Sequence, residues 1–247
     1  MFDHAPAPVR EGLWSIKHRA VRWMTDQGFV DSLHVLLQDQ LRSLDITHVI
    51  DIGANRGQYG HLLRRLGFRG RIISFEPVRQ CFDDLSELAK RDGNWEVHRL
   101  ALGDLDGELE MNVTTDDVFS SLLQPNSVGR QMFPTESSVT KNERVPVRRL
   151  EPLLPGLVPR DHWSRTHLKS DAQGSEPAIL RGLGDTLSAM LSLQIEVSLI
   201  GIYESQTDYQ DVLRPLHDRG YRLTGFFPVS RDSSLGIVEA DVLLRRA

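Results

Sequence analysis

The sequence predicts an α/β fold built on a mostly parallel sheet, and three features carry that prediction. Apolar runs and amphipathic stretches alternate from residue 48 to residue 99, the βαβ rhythm of a parallel sheet. The first run, Val49, Ile50 and Ile52, ends in a glycine-punctuated turn, Asp51-Ile52-Gly53-Ala54-Asn55-Arg56-Gly57-Gln58-Tyr59-Gly60. The second, Arg71-Ile72-Ile73-Ser74-Phe75, stops at Glu76-Pro77, and a third, leading through Lys169 and Ser170 to Asp171-Ala172-Gln173-Gly174-Ser175-Glu176, again sets an acid and a glycine after a strand. Three strand ends therefore offer polar groups at one sheet edge, where open α/β sheets bind ligands.

The elements follow in order. Apolar residues from Leu13 to Leu41 recur at roughly helical spacing, which predicts two or three short helices before the first strand. Arg10, Lys17, His18, Arg19 and Arg22 beside Trp14 and Trp23 form a cationic stretch there, readable as a solvated face or as a peripheral membrane contact. Strand 48–52, helix 57–66, strand 71–75, helix 79–91 and strand 95–99 come next, with Gly67 and Gly70 ending the first of these helices. Asp104-Leu105-Asp106-Gly107 signals a turn, and residues 108–114 alternate as a strand does. From Thr115 to Arg144 the chain turns polar and reads as a long loop, of the kind that forms a lid or a binding loop. Strand 145–149, strand 166–170, helix 176–188, strand 191–197 and helix 207–219 precede a final pair near 221–227 and 236–244, expected to be antiparallel.

Composition narrows the function. The net charge of −5 lacks the basic footprint of a nucleic-acid binder. Of 29 basic residues only four are lysines, Lys17, Lys90, Lys141 and Lys169, and the arginines are scattered. The single Cys81 rules out an intrachain disulfide and fits a cytoplasmic setting. No stretch approaches the ~20 apolar residues of a membrane span, and no signal-peptide core is visible at the N-terminus.

The turn after the first strand carries the chemistry. Gly53 and Gly57 are expected to let the backbone approach a ligand, yet their spacing matches neither the dinucleotide fingerprint nor a P-loop. Asp51 would repel a pyrophosphate and suits a cationic ligand. Glu76 lies about 20 residues beyond Gly57, the interval at which an acid reaches ribose hydroxyls. Glu176 reads as a charge at a helix N-terminus. No histidine lies in a zinc-binding pattern; His98 reads as structural, and His162 and His167 remain possible bases.

These segments resemble the FkbM family of S-adenosylmethionine-dependent methyltransferases. Its four motifs read here as DIGANRGQYG, SFEP (Ser74 to Pro77), ALGDLDGE (Ala101 to Glu108) and KSDAQGSE (Lys169 to Glu176), and the resemblance spans roughly residues 45–197. It departs at Ser170, where the family usually carries an aliphatic residue. The resemblance implies a class I, Rossmann-like methyltransferase domain over residues 45–247, with a seven-stranded sheet, helices on both faces, an N-terminal helical extension over 1–44 and an acceptor-side loop over 115–144. S-adenosylmethionine is then the cofactor. Asp51 faces its amino acid part, directly or through water, within a turn that also contributes Gly53, Asn55, Gly57 and Tyr59. Glu76 and Pro77 take the ribose. Leu102 forms an apolar wall for the adenine, while Asp104 either accepts from the adenine amino group or caps the turn at Gly107. Gln173 belongs to the fourth motif.

The family further implies a hydroxyl acceptor, on a sugar of a glycolipid, polysaccharide or glycosylated natural product. Asp171 and Glu196 end strands that are neighbours in a class I sheet, so they become the candidate catalytic pair. Either both hold a Mg²⁺, or one protonated and one ionised acid act without metal. The competing readings are a Rossmann-type NAD(P)-binding oxidoreductase and an inactive cofactor-binding scaffold.

Overall fold

β1 (His48–Ile52) lies inside the main sheet, paired in parallel with β2 (Arg71–Phe75) on one side and with β7 (Thr166–Ser170) on the other. The computed structural model describes residues 32–246, so most of the predicted N-terminal helices lie outside the described residues. Within them, α1 (Ser32–Ser43) precedes β1, α2 (Gln58–Arg65) joins β1 to β2, and α3 (Arg79–Asp92) leads to β3 (Trp95–His98). β4 (Ala101–Leu102), β5 (Gly107–Thr114), α4 (Ser127–Met132) and β6 (Val139–Arg148) follow. After α5 (Leu150–Leu157) come β7, α6 (Glu176–Gly182), β8 (Ser192–Ser198), α7 (Tyr209–Asp218), β9 (Tyr221–Arg231) and β10 (Ile237–Arg246).

The main sheet has seven strands in the order β3-β2-β1-β7-β8-β10-β9. β10 runs antiparallel to both of its neighbours, as expected of the final pair, and the other pairings are parallel. β1, β2 and β7 are buried almost throughout because both faces of the sheet are covered. On one face Ile50, Ile52, Phe75, Leu168, Leu193 and Ile195 pack with α5, α6 and α7. On the other, Val49, Ile72 and Leu243 pack with α1, α2 and α3. α1 is part of this second core: Leu37 and Leu41 are buried in it, and Gln40 Nε2 donates to Ser192 Oγ at 2.8 Å and to the Leu244 carbonyl at 2.9 Å.

Two segments depart from the sequence expectation. Residues 115–144 are not one loop, since α4 forms within them and β6 begins at Val139. β6 pairs with β4 and β5 in a separate three-stranded sheet, and its first six residues lack a buried position. Without a buried face a strand has no apolar alternation to read. The helix expected over 176–188 stops at Gly182, where a Cβ would lie 1.9 Å from the Gly103 carbonyl oxygen, and continues as a 3₁₀ turn after Gly184 at φ +53°.

Ser170 pairs with Ile52 and Ile195 across the sheet and is fully buried. Its hydroxyl has no hydrogen-bond partner among the described residues. An unsatisfied buried polar group costs ~1–3 kcal/mol. Ser170→Ala is therefore expected to raise the free energy of unfolding by about 1 kcal/mol in urea titration; a clear loss of stability would contradict this account of the site.

Candidate functional site

The turn after β1 is shaped by what packs behind it. Gly53 takes φ +72°, and a Cβ there would lie 1.8 Å from the Asp171 carbonyl oxygen. At Gly57, φ is +89° and a Cβ would press on Leu88, Leu85 and Trp95 at 2.9 to 3.1 Å. The space a Cβ would take at both glycines is filled by protein, so packing between strand ends and helices by itself requires glycine there. Asn55, at φ +47°, donates its backbone N–H to Glu76 Oε2 at 2.8 Å, and Val78 beyond Pro77 donates to Glu76 Oε1 at 2.8 Å. Glu76 is thus fixed at the end of β2, with burial pushing its carboxyl up to about 7. Each oxygen keeps lone-pair capacity for a further donor, such as the hydroxyls of a diol.

A polar row crosses the face of the sheet beneath the turn, formed in register by Ser74, Asp51, Lys169 and Gln194. Ser74 Oγ donates to Asp51 Oδ2 at 3.1 Å, and Trp95 Nε1 donates to Ser74 Oγ at 2.9 Å. The Lys169 ammonium lies 3.5 Å from Asp51 Oδ1 and 3.3 Å from Asp171 Oδ2, and donates to the Gly53 carbonyl at 3.2 Å. Burial opposes its charge, but Asp171, Asp51 and Asp241 outweigh that and hold it above the ordinary lysine range. The Tyr59 ring covers the ammonium at 5.5 Å. Asp51 is fully buried, with its pKa raised by burial. The cation beside Asp51 is the protein's own Lys169, which stands between it and Asp171.

Beyond β7 the chain passes through Gln173 at φ +49°. Its amide nitrogen donates to Asp171 Oδ1 at 3.2 Å and to Glu196 Oε2 at 2.8 Å, so the two acids converge as adjacent strand ends allow. The Gln173 Oε1 accepts from the Tyr203 hydroxyl at 2.7 Å. Burial, then the charges of Asp171 and Glu239, push Glu196 well above the usual carboxyl range. Glu176 is buried at the start of α6 and accepts from Ala172 N at 2.6 Å and Gly174 N at 2.9 Å, fixing this loop while placing an acid in the first turn of the helix. Among the described residues no group of three or more His, Cys, Asp or Glu gathers to hold a metal ion.

A cavity of about 430 Å³ opens here, lined by Gly53, Asn55, Tyr59, Lys169, Asp171 and Asp241, among others, with Leu33, His34 and Leu37 of α1 as a further wall. Val118 of the segment after β5 also lines it. That segment is anchored at three places: Arg56 pairs with Asp117, Ser121 Oγ donates to the Gln173 carbonyl at 2.7 Å, and Asn126 Nδ2 donates to the Gly201 carbonyl at 2.9 Å.

Other sequence candidates lie elsewhere. Leu102 is a buried core residue packed with Phe75 and Ile73. Asp104 is paired with Arg181 at 2.8 Å through Nε and Nη2. His162 bonds Thr47, next to the first residue of β1, at the opposite edge of the sheet from the cavity. His167 sits between Tyr59 and Ser192, with Nε2 3.0 Å from the Tyr59 hydroxyl and Nδ1 2.6 Å from Ser192 Oγ. Neither histidine is placed to act as a base in the cavity. Sequence reasoning overlooked Lys169 as a site residue, although a lysine inside a buried strand demands an acidic partner, and overlooked Tyr203, for which no signal existed.

Comparisons add a family match. The model of the methyltransferase FkbM domain matches residues 51–223. No curated protein sequence matches the chain. Among solved structures, an rRNA methylase from Streptococcus thermophilus is 12% identical, with 89% of this chain and 99% of that chain covered at a TM-score of 0.47. An N1-methyltransferase of 1,6-didemethyltoxoflavin from Burkholderia thailandensis, solved with S-adenosylhomocysteine, is 14% identical, with 100% and 93% covered at 0.41. Fibrillarin from Aeropyrum pernix with bound S-adenosylmethionine is 12% identical, with 80% and 66% covered at 0.43. Likenesses this weak carry no argument about substrate.

His167 gives a test of the buried network. Burial lowers its pKa to about 3, below the ordinary 6.5, so protonation favours the unfolded chain. Its contribution to stability is complete above about 6.5 and is lost as pH falls toward 3. NMR titration of the imidazoles should find His167 neutral throughout pH 5–8; a midpoint near 6.5 would place it outside this network.

Proposed function

The chain belongs to the FkbM methyltransferase family, and we propose that this S-adenosylmethionine-dependent methyltransferase methylates a hydroxyl oxygen of a sugar, in a glycolipid, a polysaccharide or a glycosylated natural product. The observation that supports O-methylation is the pair of acids Asp171 and Glu196, joined by the Gln173 amide at the ends of adjacent strands beside the cavity. Such a pair can hold a hydroxyl and accept its proton.

The cofactor supplies a methyl group on a cationic sulfur. Glu76 accepts the two ribose hydroxyls on oxygens that the Asn55 and Val78 amides already fix. Lys169 and the Gly53 carbonyl form the wall for the amino acid end. Asp171, oriented by Lys169 and Gln173, aligns the acceptor hydroxyl and takes its proton as the carbon–oxygen bond forms. Glu196, held toward its protonated form, donates to the sugar rather than receiving the proton. Alignment of the two reacting groups in this wall supplies much of the rate. With the Lys169 ammonium on one side of Asp171 and the Gln173 amide between the acids, we favour the arrangement without metal.

We place the acceptor on the side of residues 115–138, the segment whose Val118 lines the cavity. No helix among the described residues is long and apolar enough to cross a membrane. We propose a cytoplasmic enzyme that does not take nucleic acid, in line with its net charge of −5; the cationic N-terminal stretch suggested as a membrane contact lies outside the described residues.

Radiolabel from S-adenosylmethionine should appear in a sugar-containing product of total cell extract, with the label in an ether; label confined to RNA would overturn the acceptor assignment. Glu76→Ala should weaken cofactor binding at least tenfold by calorimetry, since two charge-assisted bonds of ~1.5–3 kcal/mol each are removed. Unchanged affinity in a folded variant would remove Glu76 from the site. Asp171→Asn should still bind cofactor while turnover falls by roughly 10²–10⁴, and wild-type turnover should persist in EDTA. Turnover within a few-fold of wild type in Asp171→Asn excludes its role as proton acceptor.

A further inference from the structure

Lys169 is one of four lysines in the chain and stands in the middle of the site, yet no step of methyl transfer needs its proton. Its side chain is 7% exposed, and its ammonium touches the Asp171 carboxylate, the Asp51 carboxylate and the Gly53 carbonyl at 3.2 to 3.5 Å. Asp51 lies behind it, fully buried, whereas Lys169 and Asp171 both line the cavity. The wall therefore sets the Lys169 ammonium against the Asp171 carboxylate, the two charges cancelling within that pair, while Asp241 adds a further carboxylate to the lining. Gln194 and Asp241 continue that wall, and Gln194 Nε2 donates to Asp241 Oδ1 at 3.2 Å.

Resting on the cofactor reading above, we propose that Lys169 is a positioning residue that sets the charge of the cofactor wall, so that the site does not hold the cationic cofactor more tightly than the transition state can use. Methyl transfer breaks the sulfur–carbon bond with its electron pair going to sulfur, forms the carbon–oxygen bond and releases the hydroxyl proton to Asp171. Positive charge on sulfur is discharged along the way. An uncompensated carboxylate in the wall stabilises the reactant more than the transition state and raises the barrier. Lys169 compensates Asp171, and Asp51 with Ser74 holds the ammonium in place from beneath. Two unit charges within about 8 Å at an effective dielectric near 20 interact strongly enough to change an affinity at least tenfold.

This role has a signature that mere support of the fold does not share. S-adenosylmethionine carries the sulfonium charge and S-adenosylhomocysteine does not, so the ratio of their affinities reads the charge of the wall. By calorimetry on the full chain, Lys169→Met should raise the ratio in favour of S-adenosylmethionine about tenfold. Asp171→Asn, which leaves the ammonium unopposed, should lower it by a similar factor. The double variant Lys169→Met with Asp171→Asn restores a neutral pair and should return the ratio to within about twofold of wild type, and Lys169→Arg should not move it. Equal loss of affinity for both ligands in Lys169→Met, or an unchanged ratio in both single variants, overturns the proposal. If Lys169→Met fails to fold, the downward shift in Asp171→Asn decides, and its absence counts against the role. Wild-type protein that binds neither ligand would instead defeat the cofactor reading itself.

Discussion

A buried ammonium joins the parts of this site. Lys169 cannot keep its charge inside the protein without partners, and it has three: Asp51 on β1, the Gly53 carbonyl in the turn after β1, and Asp171 in the loop after β7. Its contacts draw the ends of β1 and β7 together, and the space for that approach exists because position 53 has no side chain. Removing one partner of a buried charge pair typically costs 3–5 kcal/mol, which explains why the second and third neighbours are so fully engaged. Ser74 holds Asp51, Trp95 holds Ser74, and Tyr59 covers the ammonium. The geometry of the cleft is thus set from within the sheet rather than from its loops.

The loops extend that order outward. Glu176 gathers the amides of the Asp171–Gly174 turn, Gln173 ties Asp171 to Glu196, and Tyr203 ties Gln173 to the loop after β8. The segment after β5 is then fastened to this assembly through Ser121 and to the first turn through Arg56 and Asp117. Asn55, Lys169 and Asp171, which line the cavity, are thus held in place by their neighbours, and an alignment-dependent reaction gains from groups fixed in this way.

Much of this was legible in the sequence. Strands 48–52, 71–75 and 166–170 match the structure residue for residue: the first two carry short apolar runs, Val49-Ile50 and Ile72-Ile73, and each of the three ends where a motif places an acid or a glycine after the strand. The family motifs located the turn, Glu76 and the Asp171 loop. What was not legible depends on contacts between residues distant in sequence. Residues 139–144 extend β6 because β5 lies beside them, and nothing in Val139 to Arg144 marks a buried face. That Gly53 and Gly57 are also required by packing was not legible, because the Asp171 backbone and Leu85, Leu88 and Trp95 reach them from elsewhere in the chain. His167 looked reactive because burial and its partners Tyr59 and Ser192 cannot be read from spacing, and Asp104 met Arg181 from 77 residues away.

The central claim is that the cofactor lies across the ends of β1, β2 and β7, on groups the sheet already holds in place. A crystal structure with S-adenosylhomocysteine bound tests it most directly. The account predicts both ribose hydroxyls on the Glu76 carboxylate and the sulfur facing the Lys169 and Asp171 wall, with Asp51 still sealed behind the ammonium. A ligand bound away from Glu76, or one in direct contact with Asp51 after displacing Lys169, would contradict it.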